Sequence, residues 1–378
     1  MSLYTKHIDI YQPHILASTP YRGGSTREEH KTIRYKMSSN ENMLGMSPMA
    51  LEAIRENLHR INEYSFEHDR LFCQALANHF HNALSPDQFI TGNGGMELLD
   101  IIVRGFVQPG NEVIISTPTF MAYNSFAVLG GARVIDVPLQ GSMYDLDVEG
   151  ILGAITEQTR LIFISNPNNP TGTLIQRERI DELMEGLPDH VVVVYDEVYH
   201  DYVEAKDYPR ALDYIQQYKN VIGLHSFSKA YGLAGMRIAY AFSTHPIALY
   251  LQKIKRPFMV NALSMVAAMA GLKDRDFLEK TKAVNTVGKL YLYKKFKDLN
   301  IQYTPTEANF ILITPPFKMT ATALVHAMAG KGIMLRDAEV MKAPGKVRVT
   351  IGTAAANSYF THSFTHEKSD CYAPTELQ

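Results

Sequence analysis

The sequence predicts an α/β protein: a mostly parallel central sheet sandwiched by helices, joined to a smaller α+β domain. Three observations carry this. Six short apolar runs (Val113 to Ile115, Arg133 to Val137, Leu161 to Ile164, Val191 to Tyr195, Val221 to Leu224 and Ile238 to Phe242) alternate with helical stretches. Continuous β-rich runs separated by helices read as parallel strands buried on both faces. Three of those runs end in polar groups: Ser165-Asn166-Pro167-Asn168-Asn169, Asp196-Glu197, and Ser226-Phe227-Ser228-Lys229. In an open α/β sheet the ligand crevice lies beyond the carboxyl ends of the strands, so three successive runs deliver chemistry to one edge. After about residue 250 the rhythm changes to helical stretches followed by two strand-like segments, Phe310 to Ile313 and Lys346 to Ile351. The expected division is 46–250 for the large domain and 1–45 plus 251–378 for the small domain with its N-terminal arm.

Composition narrows the function classes. A chain of 378 residues with 46% hydrophobic and 20% charged residues has the balance of a globular enzyme. A formal charge of −2 supplies no broad basic field for nucleic acid. Two cysteines, Cys73 and Cys371, make neither a disulfide framework nor a four-cysteine metal site, and their scarcity agrees with a reducing compartment. Met1 to Asp9 lacks the apolar core of a secretory signal, and the apolar stretch Met259 to Leu272 is too short to span a bilayer. The expectation is a cytoplasmic protein without membrane or nucleic-acid partners. The fourteen histidines form no His-Glu-x-x-His pattern, so no metal is expected. Hydrolase chemistry of the Ser-His-Asp kind lacks its Gly-x-Ser-x-Gly elbow.

Along the chain, the first 45 residues read as an irregular arm ending in Ser38-Ser39-Asn40-Glu41-Asn42. Pro48 to His59 has helical spacing, with Ser47 as its cap and Leu51, Ile54 and Leu58 on one side. Leu71 to Phe80 reads as a second helix. Gly92-Asn93-Gly94-Gly95-Met96-Glu97 precedes an apolar-periodic helix, whose N-terminal amides form a natural anion cradle. In the second domain Ala248 to Lys255, Ser264 to Leu272 and Phe277 to Asp298 read as helices, with Met259, Met265 and Met269 as core filler. After Thr353 the chain turns polar, with Ser, Thr, His and Pro interspersed, and no C-terminal helix is expected.

The stretch Ser226 to Arg237 organises the rest. A lysine at the end of a buried run must be offset by a partner or by loss of charge. Lys229 is flanked by two hydroxyls, followed by small residues, and joined eight positions on by Arg237. A carbonyl cofactor bearing a phosphate explains the set: the amine forms a Schiff base with the aldehyde, while the serines and the arginine hold the phosphate. Asp196 ends a buried run and needs a partner, which a protonated pyridine nitrogen supplies; a helix-capping aspartate is the plainer alternative. Tyr199 is placed to donate to the phenolic oxygen of the same ring. Asn166 to Gly172 is a rigid turn in any reading, and its asparagines can reach a ring hydroxyl. Arg348 projects from an alternating strand toward a substrate carboxylate or a structural one, and Arg336 has Asp337 as a simple partner.

Together these motifs resemble the fold-type I pyridoxal-phosphate-dependent aminotransferases, and within them most closely the histidinol-phosphate aminotransferases. The resemblance rests on Ser38 to Asn42, Gly92 to Gly95, Pro118-Thr119-Phe120, Asn166 to Gly172, Tyr195 to Tyr199, Ser226 to Arg237, Arg256-Pro257-Phe258 and Arg348 to Thr353, in family order. It implies the fold of that family, pyridoxal 5'-phosphate as cofactor, and transfer of an amino group between histidinol phosphate and 2-oxoglutarate or glutamate by ping-pong kinetics. By the same resemblance Lys229 carries the cofactor and shuttles the substrate α-proton, and Asp196 pairs with the ring nitrogen. Asn169 and Tyr199 contact the ring oxygen, and Phe120 stacks on the ring. Ser226, Ser228, Arg237 and the backbone amides of Gly95 and Met96 hold the phosphate. Arg348 receives the donor's carboxylate, with Arg336, Arg22 and Asn42 as further substrate contacts. Tyr64 matches a tyrosine that crosses to the neighbouring subunit's phosphate, which implies a homodimer with shared sites. Relatives carry an amphipathic helix where this chain has its polar tail. The competing readings are the same chemistry on aromatic or other amino acids, a decarboxylase or lyase of the same fold, and a non-catalytic regulator.

Overall fold

The computed structural model describes residues 11–16, 18, 33–217 and 220–365. Arg22, Cys371 and the last thirteen residues of the polar tail lie outside them. The chain opens with α1 (Pro13–Leu16) and β1 (Tyr35–Lys36), then α2 (Pro48–Asn57) and α3 (Phe66–His79). The large layer follows as β2 (Phe89–Gly92), α4 (Gly95–Phe106), β3 (Glu112–Ile115), α5 (Met121–Leu129), β4 (Arg133–Asp136), α6 (Val148–Ala154) and β5 (Thr159–Ser165). It continues with α7 (Arg177–Glu185), β6 (Val192–Asp196), α8 (Ala211–Ile215), β7 (Val221–Ser226), β8 (Ala239–Ser243), α9 (His245–Gln252) and α10 (Ala262–Lys273). The remainder comprises α11 (Arg275–Asp298), β9 (Phe310–Ile313), α12 (Ala321–Gly330), β10 (Ile333–Met334), β11 (Arg336–Asp337), β12 (Val347–Thr350) and α13 (Ala354–Thr365).

All six expected runs are strands of one seven-stranded sheet, ordered β2-β8-β7-β6-β5-β3-β4. The seventh, β2, is Phe-Ile-Thr-Gly, with only two apolar residues, and entered the sequence reading only as the approach to a glycine turn. Strand β8 runs antiparallel to both neighbours. It follows β7 through the 227–238 loop without a crossover helix, and parallel pairing requires such a crossover. Alternate residues of the central strands enter two different cores: Ile162, Ile164, Val193 and Tyr195 on one face, Leu161, Phe163, Val192 and Val194 on the other. Burial on both faces is why these strands read as continuous apolar runs.

In the smaller part, β11, β12 and β9 form an antiparallel sheet and β1 pairs parallel with β10. The arm thus joins the small sheet system, and Met37 is fully buried in its core beside Phe296, Phe360 and Phe364. The large core, however, runs past residue 250. Val260, Met265, Ala267 and Ala268 share it, Leu278 still packs against it, and the small core takes over along α11 by Leu292; Asp274 caps α11, accepting from Phe277 N at 3.1 Å. The same carboxylate accepts from Ser47 Oγ at 2.6 Å, tying the start of α2 to this junction.

Two expectations are corrected. Ser47 caps α2 as expected, accepting from Ala50 N at 3.1 Å, but Leu51 and Leu58 do not form its packed face. The buried position is Ala50, because a small side chain lets α10 come close, and Leu58 already lies in a terminal 3₁₀ turn. The second correction is α13: a C-terminal helix does form. Its run of alanines favours helix, and Ala356, Asn357, Phe360 and Phe364 are buried along one stripe. Its hydroxyls turn back onto the helix's own carbonyls, Ser363 Oγ to Tyr359 O at 2.9 Å and Thr361 Oγ1 to Ser358 O at 3.1 Å, so a polar composition is accommodated.

Candidate active site

Strands β5, β6 and β7 end together, Ser165 beside Asp196 and Asp196 beside Leu224 in register. The loop after β7 is anchored by Phe227, buried against Phe72 and Tyr231, and closes on itself through Leu233 N to Phe227 O at 3.0 Å. Gly232, at φ +69°, is required here: a Cβ would run into the backbone of Gly45. That contact seats the arm against the loop, and Asn42 Nδ2 donates to Ala230 O at 2.9 Å beside it. Lys229 therefore projects into the cleft with Nζ donating to Ser39 O at 3.1 Å, over the Tyr199 ring at 5.7 Å. Burial depresses its ammonium to about 8, helped by the Arg348 guanidinium and opposed by Glu41.

Asp196 is buried at the floor. Its Oδ2 accepts from Tyr123 OH at 2.6 Å and its Oδ1 from Val198 N at 3.1 Å. Burial raises its carboxyl to about 6, against the pull of those two donors. Asn169 Oδ1 accepts from Arg348 Nη1 at 2.6 Å, and Arg348 Nη2 donates to Ser38 O at 2.7 Å, so the guanidinium is turned across the cleft. Asn40 Nδ2 donates to Tyr199 OH at 3.0 Å, and the Tyr199 ring stands edge-on to Phe310.

At the other end lies an anion cup. Helix α4 begins at Gly95, so its first amides have no carbonyl four residues back to bind. Gly94 has φ +82° and ψ 166°, a region open essentially to glycine, and a Cβ there would meet the Arg237 guanidinium. Arg237 is itself left-handed (φ 54°), with Nη1 donating to Ala234 O at 3.0 Å. Ser226 and Ser228 complete the cup, with Ser226 Oγ accepting from Ser228 N at 3.1 Å. A helix N-terminus, two hydroxyls and an arginine are a donor set for a phosphate.

A cleft of about 350 Å³ is lined by Lys229, Asp196, Tyr199, Gly95, Met96, Phe120, Asn169, Ser226, Ser228, Arg237, Arg336 and Arg348, all predicted from sequence. Arg336 places Nη2 3.9 Å from Met121 Sδ, while Asp337 accepts from Thr322 Oγ1 and Glu339 N. One expected substrate contact is elsewhere. Asn42 does not line the cleft: its amide is used by Ala230 O and by Thr281 Oγ1 at 3.0 Å, and it buttresses the lysine loop. Tyr64, expected to serve the neighbouring subunit's site rather than this one, is 80% exposed on the surface and stacked on Phe258 at 4.5 Å. Sequence reading missed Asn40, whose motif was noted but whose role went to Asn42, and Tyr123, three residues past Phe120, to which it gave no role. It also assigned no role to Glu41, whose carboxylate lines the cleft and pairs with Lys36 at 2.7 Å.

An amine near neutrality, a buried carboxylate and an anion cup at one sheet edge fit a phosphate-bearing pyridine aldehyde. A family profile described as "Aminotransferase class I and II" matches residues 32–364. The chain is 38% identical to a histidinol-phosphate aminotransferase of Moorella thermoacetica, covering 92% of this chain and 90% of that one. It is 35% identical to a histidinol-phosphate aminotransferase 2 of Pseudomonas fluorescens, over 93% and 95%. Among solved structures, the histidinol-phosphate aminotransferase of Sinorhizobium meliloti in complex with pyridoxal-5'-phosphate superposes with a TM-score of 0.85 at 27% identity, covering 98% of this chain and 100% of that one. Site geometry and likeness over nearly the whole length agree: the chain belongs to the class I and II aminotransferases.

Proposed function

We propose that this chain is a pyridoxal-phosphate-dependent transaminase that moves an amino group between histidinol phosphate and 2-oxoglutarate or glutamate. The single observation that carries the chemistry is that Lys229 lines one cleft with the buried Asp196 carboxylate and with the cup formed by Gly95, Ser226, Ser228 and Arg237. The substrate rests on the relatives' names and on Arg336 and Arg348, two cations in the cleft that suit partners carrying phosphate or carboxylate groups.

When bound, pyridoxal phosphate supplies an aldehyde that links to amines and a ring that takes up electron density from the substrate's α-carbon. Gly95 and Met96 amides, Ser226, Ser228 and Arg237 would hold its phosphate, Asp196 its ring nitrogen, Asn169 and Tyr199 its ring oxygen, and Phe120 its face. Lys229, depressed to about 8, is neutral in a useful fraction at physiological pH. Its amine, held by Ser39 O at 3.1 Å, would take up the substrate's α-proton and carry it within the cleft. Arg348, already turned across the cleft by Asn169 and Ser38, receives the donor's carboxylate. The two half-reactions use one cleft in turn.

The reading includes a homodimer. Ile61, Tyr64 and Phe258 are 71%, 80% and 46% exposed, an apolar patch that a second copy would cover, bringing Tyr64 to the partner's phosphate cup. Compartment follows from the chemistry of a biosynthetic enzyme with one buried thiol at Cys73, and we place it in the cytoplasm; no described helix is long and apolar enough to cross a membrane. The test is borohydride reduction of cofactor-loaded protein with peptide mapping, beside transamination of a panel of histidinol phosphate, phenylalanine and glutamate. The reading expects a pyridoxyl label on Lys229, absent in Lys229→Ala, and turnover highest with histidinol phosphate. An unlabelled Lys229 ends the cofactor assignment, and preference for phenylalanine ends the substrate assignment.

A further inference from the structure

A tyrosine unused in the chemistry above lies directly behind Asp196. Tyr123 is completely buried, its ring lies flat on Phe163 (4.8 Å between centroids, planes 4° apart), and Phe120 stands at 90° to it. Held in this way it has no freedom to turn, and its hydroxyl meets Asp196 Oδ2 at 2.6 Å, the short distance of a charge-assisted bond. Resting on the functional reading above, we propose that Tyr123 is a positioning residue that holds Asp196 ionised and turned to accept from the cofactor's ring nitrogen.

The physical argument is one of competing preferences. Asp196 is removed from water, which favours its neutral form, and Glu197 beside it in sequence pushes the same way. Against this stand three groups: the Tyr123 hydroxyl, the Val198 amide and, across the cleft, Lys229. Tyr199 is the other titratable group nearby, and it acts on the Tyr123 phenol. Of these, only Tyr123 and Val198 N touch the carboxylate. Lys229 is the group expected to change charge when the cofactor is carried, so its help is not constant. Tyr123's is: burial and the facing carboxylate hold its phenol well above the ordinary range, so it remains a donor at every working pH. A protonated Asp196 would offer a hydrogen where the ring nitrogen also carries one, and the pairing would fail. With Oδ2 and Oδ1 each held by one donor, the remaining lone pairs are fixed in direction. A hydroxyl removed from a buried charged acceptor leaves that acceptor to neutralise itself by taking up a proton.

The experiment compares wild type, Tyr123→Phe and Asp196→Asn. One readout is ¹³C NMR of cofactor-free protein labelled at aspartate Cγ. The other is the dissociation constant for pyridoxal phosphate by equilibrium dialysis from pH 6 to 9. Wild type should show an ionised Asp196 at pH 7.5. In Tyr123→Phe its midpoint should rise by at least about one pH unit, the scale of a charge-assisted hydrogen bond. Cofactor affinity at pH 7 should fall about twofold for a one-unit rise and about tenfold for a two-unit rise, and recover toward wild type near pH 9. In Asp196→Asn, adding Tyr123→Phe should change neither the affinity nor its pH dependence. An unshifted midpoint, or a loss of affinity that is the same at every pH, overturns the proposal and leaves Tyr123 as packing. If Tyr123→Phe does not fold, wild type still decides, because an Asp196 carboxyl already protonated at pH 7.5 overturns the proposal by itself. Failure of the functional reading is separate: wild type would then take up no pyridoxal phosphate at any pH.

Discussion

Replacing Lys229 by methionine should stabilise the cofactor-free protein at neutral pH. The folded structure lowers the lysine from its ordinary 10.5 to about 8, first by burial and next by the Arg348 guanidinium. The folded state therefore binds this proton less tightly than the unfolded chain, and charging the amine costs stability. The cost is fully present below about pH 8, is relieved as pH rises from about 8 to 10.5, and is absent above. A shift of about 2.5 units corresponds to roughly 3 kcal/mol. Because Nζ keeps its bond to Ser39 O and the amine faces an open cleft, a gain of about 1–2 kcal/mol is the reasonable size. Methionine has a similar length and fills the same space without charge. Urea unfolding of cofactor-stripped wild type and Lys229→Met from pH 6.5 to 10.5 measures the difference. The variant should be more stable at pH 7 and lose that advantage by pH 10.5. A variant less stable at pH 7, or an advantage that ignores pH, would refute the electrostatic account of this amine.

Arg348→Leu should move the Lys229 midpoint back up from about 8, since the guanidinium is the largest charge effect on it, and raise KM for the amino donor; the rate of amine modification against pH reads the shift. Gly94→Ala places a Cβ against the Arg237 guanidinium at φ +82°, and should cost about 1–3 kcal/mol of stability with at least a tenfold loss of cofactor affinity, both seen in melting with and without pyridoxal phosphate. Phe360→Ala removes a fully buried ring from α13 and should cost about 3–5 kcal/mol in urea unfolding; a loss under 1 kcal/mol would mean that the helix is not part of the small core.

The motif residues were legible where chemistry demands a particular residue at the end of a strand. Lys229, Asp196 and Arg237 sit where their spacing after apolar runs put them, because strands buried on both faces leave a strong one-dimensional signal. The C-terminal helix was not legible. Its stability comes from burying Phe360 and Phe364 against Met37 and Phe296, partners hundreds of residues or dozens of residues away, while its own hydroxyls disguise it as loop. The face of α2 was misread for a related reason: helical spacing marks a stripe, but only the neighbouring helix decides whether a leucine or an alanine faces it.

By itself, then, the order of residues determined the layered α/β plan, the sheet edge that carries the site and the identity of the amine, carboxylate and arginines there. Those features are local, set by burial periodicity and by what each side chain can do chemically. Tertiary structure alone decided that Asn40 rather than Asn42 reaches the cleft, that Tyr64 stands on the surface, and that Tyr123 backs Asp196. Each of these depends on which way a side chain turns once distant segments have packed, and no spacing in the chain encodes that direction.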